Sequence, residues 1–238
     1  MDFSIKPVGD RAVKVQFQQE VTPQLNMKIK SFCKKITGLN IEGVVEVVPA
    51  FNSVTIYYQP FRETYLDLCQ KMNSLSVDGS ENEFEEQRLI KVPVVYGGEY
   101  GPDLQRVAKY NQLSLEQVIK LHQKPDYLIY MLGFLPGFPY LGELNADLAT
   151  PRMENPRKSV SAGSVGIAHK QTGIYPVESP GGWNIIGKTP LQLVDLANER
   201  HPFLFEAGDL VRFCEISETE FLEIEEAVVS GKYVVEIE

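Results

Sequence analysis

Cysteine and histidine are scarce in this 238-residue chain, with three of each, and tryptophan occurs once. An odd number of cysteines with no C-x-x-C spacing gives no basis for a disulfide framework or a thiolate zinc site. Cys33 and Cys69 fall on the apolar stripes of expected helices, where a thiol serves as a small hydrophobe. His122, His169 and His201 stand too far apart in sequence to suggest a histidine metal site, so no metal is expected. No run approaches the roughly 18 apolar residues of a membrane helix. The opening MDFSIKPVGDRAV has no basic segment followed by an apolar one, so the expected location is the cytoplasm.

An excess of positive charge is also missing. The formal net charge is −9, with Lys and Arg together numbering 23 against 32 acids. Five acids and no base lie between Asp78 and Glu86, and eight acids against Lys232 alone lie between Glu215 and Glu238. Those segments carry −12 together, leaving +3 for the remainder. Neither nucleic acid nor an anionic membrane is therefore the expected partner, and the acidic runs read as solvated linker and surface.

What is present divides in two. Phe3–Val8 and Ala12–Phe17 alternate like strands around Gly9-Asp10. Thr22-Pro23 opens a helix carrying Leu25, Ile29, Phe32, Cys33 and Ile36 on one face, and Gly38 stops it. Val44–Val48 and Ser53–Tyr58 read as strands, followed by a second helix with Phe61, Tyr65, Leu68, Cys69, Met72 and Leu75 on one face. The order β-β-α-β-β-α predicts a small α+β domain over residues 1–86, ending in an acidic linker at 76–87.

Residues 87–238 form the second expected domain. Leu89–Tyr96 reads as a strand ended by Gly97-Gly98, and helices are expected at Asp103–Tyr110 and Ser114–Gln123. Ser114 with Gln117 makes a capping box, and Leu113 with Val118 a hydrophobic staple. From Gly133 to Pro190 lie nine of 18 glycines and seven of 15 prolines, separating short apolar pieces such as Ser164–Ala168 and Asn184–Ile186. That pattern suits a small β-barrel with elaborate loops. Strand Leu210–Phe213, helix Glu218–Val229 and strand Tyr233–Ile237 complete the expectation.

Four local patterns bear on function. Gly182–Thr189 satisfies G-x-x-x-x-G-K-T, but a turn precedes it, bulky Trp183, Ile185 and Ile186 fill it, and Pro190 follows at once. A phosphate cradle needs a strand before it, small residues within it and a helix after it, so this stretch reads as a strand. Asp103–Lys124 has the outline of a helix-turn-helix, yet it is only mildly basic and reads as a packed helix pair, with His122 at a cap or core edge. Gly133–Gly142, GFLPGFPYLG, fixes a bent backbone that presents Phe134, Phe138 and Tyr140 as a pocket wall or partner surface, or else caps the barrel with them. Arg152, Arg157 and Lys158 make a cationic cluster able to grip a carboxylate or phosphate, or simply surface charge. Between Ala162 and Pro176, His169, Gln171 and Tyr175 are the candidates for acid/base work.

Taken together, VPVVYGGEYGPDL (92–104), MLGFLPGFPYLGEL (131–144), ATPR (149–152), the long stretch from Pro156 to Asp195 and FEAGDLVRF (205–213) resemble the family of 5-oxoprolinase B subunits. Its members are also named allophanate hydrolase subunit 1 or sensor histidine kinase inhibitor, and they form the B-like half of a carboxyltransferase domain. The resemblance implies a cyclophilin-like β-barrel as the C-terminal domain. It implies association with a homologous C subunit and an A subunit, in an assembly that uses ATP to open the lactam of 5-oxoproline to glutamate. No ATP is assigned to this chain itself. Relatives often carry Arg in place of Lys188 and Gly in place of His169, which weighs against a universal role for either. On this resemblance Arg152, Arg157, Phe134, Phe138, Tyr140 and Trp183 are the expected substrate-binding residues, an arginine meeting the carboxylate. The alternatives are a binding module that docks its aromatic loop on a sensor histidine kinase, or a component of an enzyme acting on allophanate or another urea-related amide.

Overall fold

A computed structural model describes residues 3–75, 87–198 and 200–238. The expected linker therefore lies, apart from Gln87, outside the described residues. The chain divides into two compact units, Met1–Glu85 and Glu86–Glu238.

In the first unit, β1 (Phe3–Val8) and β2 (Ala12–Phe17) pair antiparallel with Phe3 opposite Phe17 and Val8 opposite Ala12. Gly9 at the turn has φ 64°, a left-handed value that glycine adopts without a Cβ clash. Helix α1 (Pro23–Gly38) begins where the Thr22 side chain accepts the Leu25 N–H. Strands β3 (Val44–Pro49) and β4 (Ser53–Tyr58) complete a sheet of order β1-β2-β4-β3, and α2 (Tyr65–Ser74) follows. Val13, Val15 and Phe17 alternate on β2, and Val54, Ile56 and Tyr58 on β4, so one sheet face meets Leu25, Ile29, Phe32 and Ile36 of α1 and Leu68 and Met72 of α2. Phe61 does not join that face. Thr64 captures the Asp67 N–H and starts the helix three residues beyond it, leaving Phe61 99% exposed in the preceding turn.

The second unit is a closed barrel of order β10-β7-β6-β13-β5-β12-β9, closed by β9 against β10. Its strands are β5 (Leu89–Tyr96), β6 (Tyr127–Leu132), β7 (Pro139–Leu141), β9 (Ser164–Ala168), β10 (Gln171–Ile174), β12 (Asn184–Lys188) and β13 (Leu210–Glu215). A separate ribbon joins β8 (Arg157–Val160) to β11 (Ser179–Gly181). Within the barrel β5 and β13 run parallel, and the other pairs are antiparallel. Ile90, Val92, Val94, Ile129, Val165, Ile167, Ile174 and Val211 fill the interior. Helices α3 (Leu104–Asn111) and α4 (Leu115–Gln123) add Leu104, Val107, Ala108 and Val118 to the same core, so they are a packed pair.

Two features differ in detail from the sequence expectation, and a third agrees with it. His122 is not at a cap or core edge: it is fully buried and stacks on Phe213 at 4.5 Å. The C-terminal strand reduces to one antiparallel bridge, Ile90 to Ile237, supported by backbone bonds from Leu89 and Lys91 to Glu238 and Glu236. The GxxxxGKT stretch is largely strand β12, and a Cβ on its Gly187 would sit 2.6 Å from the Val95 carbonyl oxygen. That glycine serves close strand approach.

Helix α5 (Glu218–Val229) carries a complete capping box between Ser217 and Glu220. Ser217→Ala removes the side-chain acceptor for the Glu220 N–H and is expected to cost about 1 kcal/mol of unfolding free energy, measured by denaturant titration.

Candidate functional site

Outside the barrel wall lies a second apolar cluster made of Phe138, Val160, Ala168, Tyr175, Trp183 and Ile185, with Leu135 and Tyr140 packed against it. Small residues make room for it. Gly166 pairs with Gly173 across the β9–β10 hairpin, and Ala168 with Gln171. A Cβ on Gly173 would press on the Phe138 ring at 3.1 Å, and one on Gly166 on Trp183 at 3.2 Å. Val165 and Ile167 of β9 belong to the inner core while Ala168 belongs to the outer cluster, as strand alternation requires.

The GFLPGFPYLG loop supplies the centre of this layer. Leu135 to Phe138 is a turn closed by the Phe138 N–H on the Leu135 carbonyl, with Gly137 at φ 78° after Pro136. Phe138 meets Tyr140 at 5.0 Å, Tyr175 at 5.3 Å and Trp183 at 5.4 Å between ring centroids, edge to face or tilted. Phe134 meets the layer at Phe138, edge to face at 5.8 Å between ring centroids. It stands 65% exposed at φ 68°, a strained conformation for a bulky residue.

Two arginines border the rings. The Arg152 guanidinium carbon lies 5.9 Å from the Trp183 ring centroid, within cation–π range. Arg157 opens β8 opposite Gly181, where a Cβ would collide with the Tyr175 hydroxyl. Burial pushes the Tyr175 phenol above its ordinary range, while the Trp183 backbone N–H and the charges of Arg152 and Arg157 pull it down. Tyr140 is likewise raised by burial and lowered by Arg152. Both phenols stay protonated at neutral pH, so they act as hydrogen-bonding groups and not as bases.

The structure thus brings together six expected residues, Phe134, Phe138, Tyr140, Arg152, Tyr175 and Trp183, and places Arg157 beside Tyr175. His169 and Gln171 are not in the layer. His169 is exposed at the two-residue turn between β9 and β10, at φ 53°, and its backbone pairs with Thr150. Gln171 begins β10, half-buried. Among the described residues no group of three or more His, Cys, Asp or Glu side chains is arranged to hold a metal ion.

One residue escaped the sequence reading. Asp103, buried at the start of α3, accepts from Arg157 Nη2 at 2.6 Å and from the Ile185 N–H at 2.7 Å. Its partners are 54 and 82 residues away, so no local pattern could announce them. Next to Ile185, Asn184 is fully buried: its Oδ1 accepts from Arg106 Nε at 2.9 Å and its amide donates to the Pro151 and Ile167 carbonyls. This ties Arg152's own loop to the barrel wall.

The model of the family described as carboxyltransferase domain, subdomain C and D, matches residues 3–205. The B subunit of 5-oxoprolinase from Bacillus subtilis (strain 168) is 41% identical over 233 residues, covering 92% of this chain and 95% of its own length. The solved structure of TTHA0988 is 37% identical with a TM-score of 0.76 over 87% of this chain, which spans 40% of that protein's length. The K. lactis urea amidolyase structure aligns over 99% of this chain with a TM-score of 0.79, while the chain covers 16% of that enzyme. At 20% identity that last likeness is one of fold alone.

Proposed function

The chain belongs to the carboxyltransferase-domain family, subdomains C and D, and from that premise we propose that it is the B subunit of an ATP-dependent 5-oxoprolinase. The observation that carries the proposal is the 41% identity to a 5-oxoprolinase B subunit across 95% of that protein. We read the closed barrel as cyclophilin-like on the family resemblance, without attaching prolyl isomerase activity to it, since fold does not fix chemistry.

5-Oxoproline is a five-membered lactam bearing a carboxylate. Amides resist hydrolysis, so opening the ring is coupled to ATP in the assembled enzyme. The chain's own contribution is to bind and orient. Half-buried Tyr140 and exposed Phe134 offer aromatic surface to a ring, while buried Phe138 and Trp183 pack beneath them. Arg152 and Arg157 offer guanidinium groups to its carboxylate, an interaction that gains strength where rings exclude water. Tyr175, kept protonated by burial, supplies a hydrogen bond and no base. General acid/base groups therefore fall to the A and C partners, and the isolated chain is inactive alone. Among the described residues no helix is long and apolar enough to cross a membrane.

The test is reconstitution with the A and C partners, following 5-oxoproline-dependent ATP hydrolysis and glutamate release. Leaving this chain out is expected to lower the rate by about 100-fold or more, equivalent to roughly 3 kcal/mol of barrier. A rate indifferent to the chain would overturn the subunit reading and direct attention to sensor-kinase binding through Phe134.

A further inference from the structure

Asp103 occupies the N-cap position of α3, yet its side chain makes no capping bond there. It is turned instead toward β12 and β8. One carboxylate oxygen accepts the Ile185 N–H at 2.7 Å, while the Asp103 N–H donates to the Ile185 carbonyl at 2.8 Å. The other oxygen accepts from Arg157 Nη2 at 2.6 Å. An arginine and a carboxylate at this distance ordinarily form two parallel bonds. Here the second oxygen faces the Ile185 N–H and receives no bond from Arg157, so the fork closes on one leg only.

The consequence falls on Arg157. Its Nη1 is buried and has no hydrogen-bond partner among the described residues. A buried charged donor left unpaired is unfavourable, and proteins retain few such groups. Arg157 differs in this from Arg152, whose guanidinium is held by the face of Trp183. The charges of both arginines reach the Tyr175 phenol, so the two cations converge on the aromatic layer.

We propose that Arg157 Nη1 is the contact for an anionic oxygen of the ligand at this site, and that Asp103 is the residue that positions it. The proposal rests on the functional reading above and deepens it. It distinguishes the two arginines: Arg152 belongs to the wall of the site, and Arg157 is its anion anchor. The oxyanion is a carboxylate, as in 5-oxoproline, or a phosphoryl oxygen derived from ATP.

Arg157→Lys separates this role from a structural one. Lysine keeps the charge and can keep the pair with Asp103, but its one nitrogen, on a shorter stem, cannot occupy the Nη2 and Nη1 positions together, so the Nη1 position is left empty. In the reconstituted complex the KM for 5-oxoproline is expected to rise at least about tenfold with kcat within about threefold, at an unchanged melting temperature. Asp103→Asn, which keeps an acceptor for the Ile185 N–H, is expected to raise the same KM by a smaller factor. A rise in the KM for ATP instead would assign the oxyanion to a phosphoryl group. Both constants unchanged in a folded Arg157→Lys complex would overturn the anchor.

The single tryptophan gives a second readout that needs no partner. Trp183 fluorescence of the full chain is titrated with 5-oxoproline and, separately, with inorganic phosphate. A saturable change weakened at least about tenfold in Arg157→Lys supports the anchor even if reconstitution shows the chain dispensable. With the chain dispensable, an absent response to both, or one that Arg157→Lys leaves unaltered, rejects the anchor along with the functional reading. If Arg157→Lys fails to fold, Asp103→Asn is read in the same two assays, and its unchanged constants reject the proposal.

Discussion

Gly101→Ala is expected to destabilise the barrel unit by about 3 kcal/mol or more and to abolish the site with it. A Cβ at Gly101 would overlap the carbonyl of Ile186 and approach the Gly97 backbone nitrogen to 2.6 Å. These are backbone atoms in a bonded arrangement. The Ile186 carbonyl accepts the Gly97 N–H at 3.0 Å, and the Gly97 carbonyl accepts the Gly101 N–H at 2.7 Å. No side chain can swing away to relieve the overlap, so either the loop after β5 or strand β12 must move. Asp103 is two residues further on and bonded to Ile185, so the same movement withdraws Arg157's partner. Denaturant unfolding measures the first effect and the KM for 5-oxoproline the second. A variant within about 1 kcal/mol of wild type would show that the loop yields more easily than this packing allows.

His122 should give the second large effect, and one that depends on pH. Its ring lies between the Tyr96 hydroxyl, 2.8 Å from Nδ1, and the Thr172 hydroxyl, 2.9 Å from Nε2. Thr172 donates its own proton to the Gly166 carbonyl at 3.0 Å, so the network assigns the histidine proton to Nε2 and makes Nδ1 the acceptor from Tyr96. Burial lowers the pKa of this neutral ring to about 3 from the ordinary 6.5. The unfolded chain then takes up a proton below pH 6.5 that the folded chain refuses. The contribution is fully present above that pH, and falls away as the pH drops toward 3. Between pH 7 and pH 4.5 this single group is expected to remove about 2.5 kcal/mol of stability. His122→Ala should cost about 3 to 5 kcal/mol at pH 7, from the cavity and the unpaired hydroxyls. Because the variant lacks the titrating ring, the gap between it and wild type should narrow as the pH falls. Parallel unfolding curves at the two pH values would contradict a buried neutral ring.

The sequence made some of this legible and hid the rest, for identifiable reasons. Strands β1 and β2 were readable because their alternation records a sheet with one buried face. The α4 capping box was readable because all its partners lie within three residues. Phe61 was misplaced because helical spacing continued backward past Thr64, whose cap outweighed it. Strands β8, β10 and β11 are three or four residues long and carry Gly or Pro or charge, too short for any period to emerge. The aromatic loop stood out by residue type alone, since Gly, Pro and Phe in that density are unusual. What its rings would touch depended on Gly166, Ala168 and Gly173, small residues that lie within a segment notable for its polar side chains. His122 sat near a helix end, where nothing nearby revealed the strand residues Tyr96 and Thr172. His169 is explained by its turn geometry, since φ 53° is a value at which glycine is the easiest occupant.

The parallel seam between β5 and β13 has a consequence for how the chain is made. Arg88, just before β5, bonds with Asp209, just before β13, across 121 residues of sequence. In the first unit the hairpin partners are near neighbours, so its sheet can assemble soon after it emerges from the ribosome. The barrel has no such option: β5 is synthesised first, yet both its neighbours, β12 and β13, come late. For most of translation β5 is an apolar strand without partners, open to pairing with other chains. Barrel closure is thus a late, non-local event, and a chain interrupted before Leu210 would expose the edges of both β5 and β6 that β13 covers.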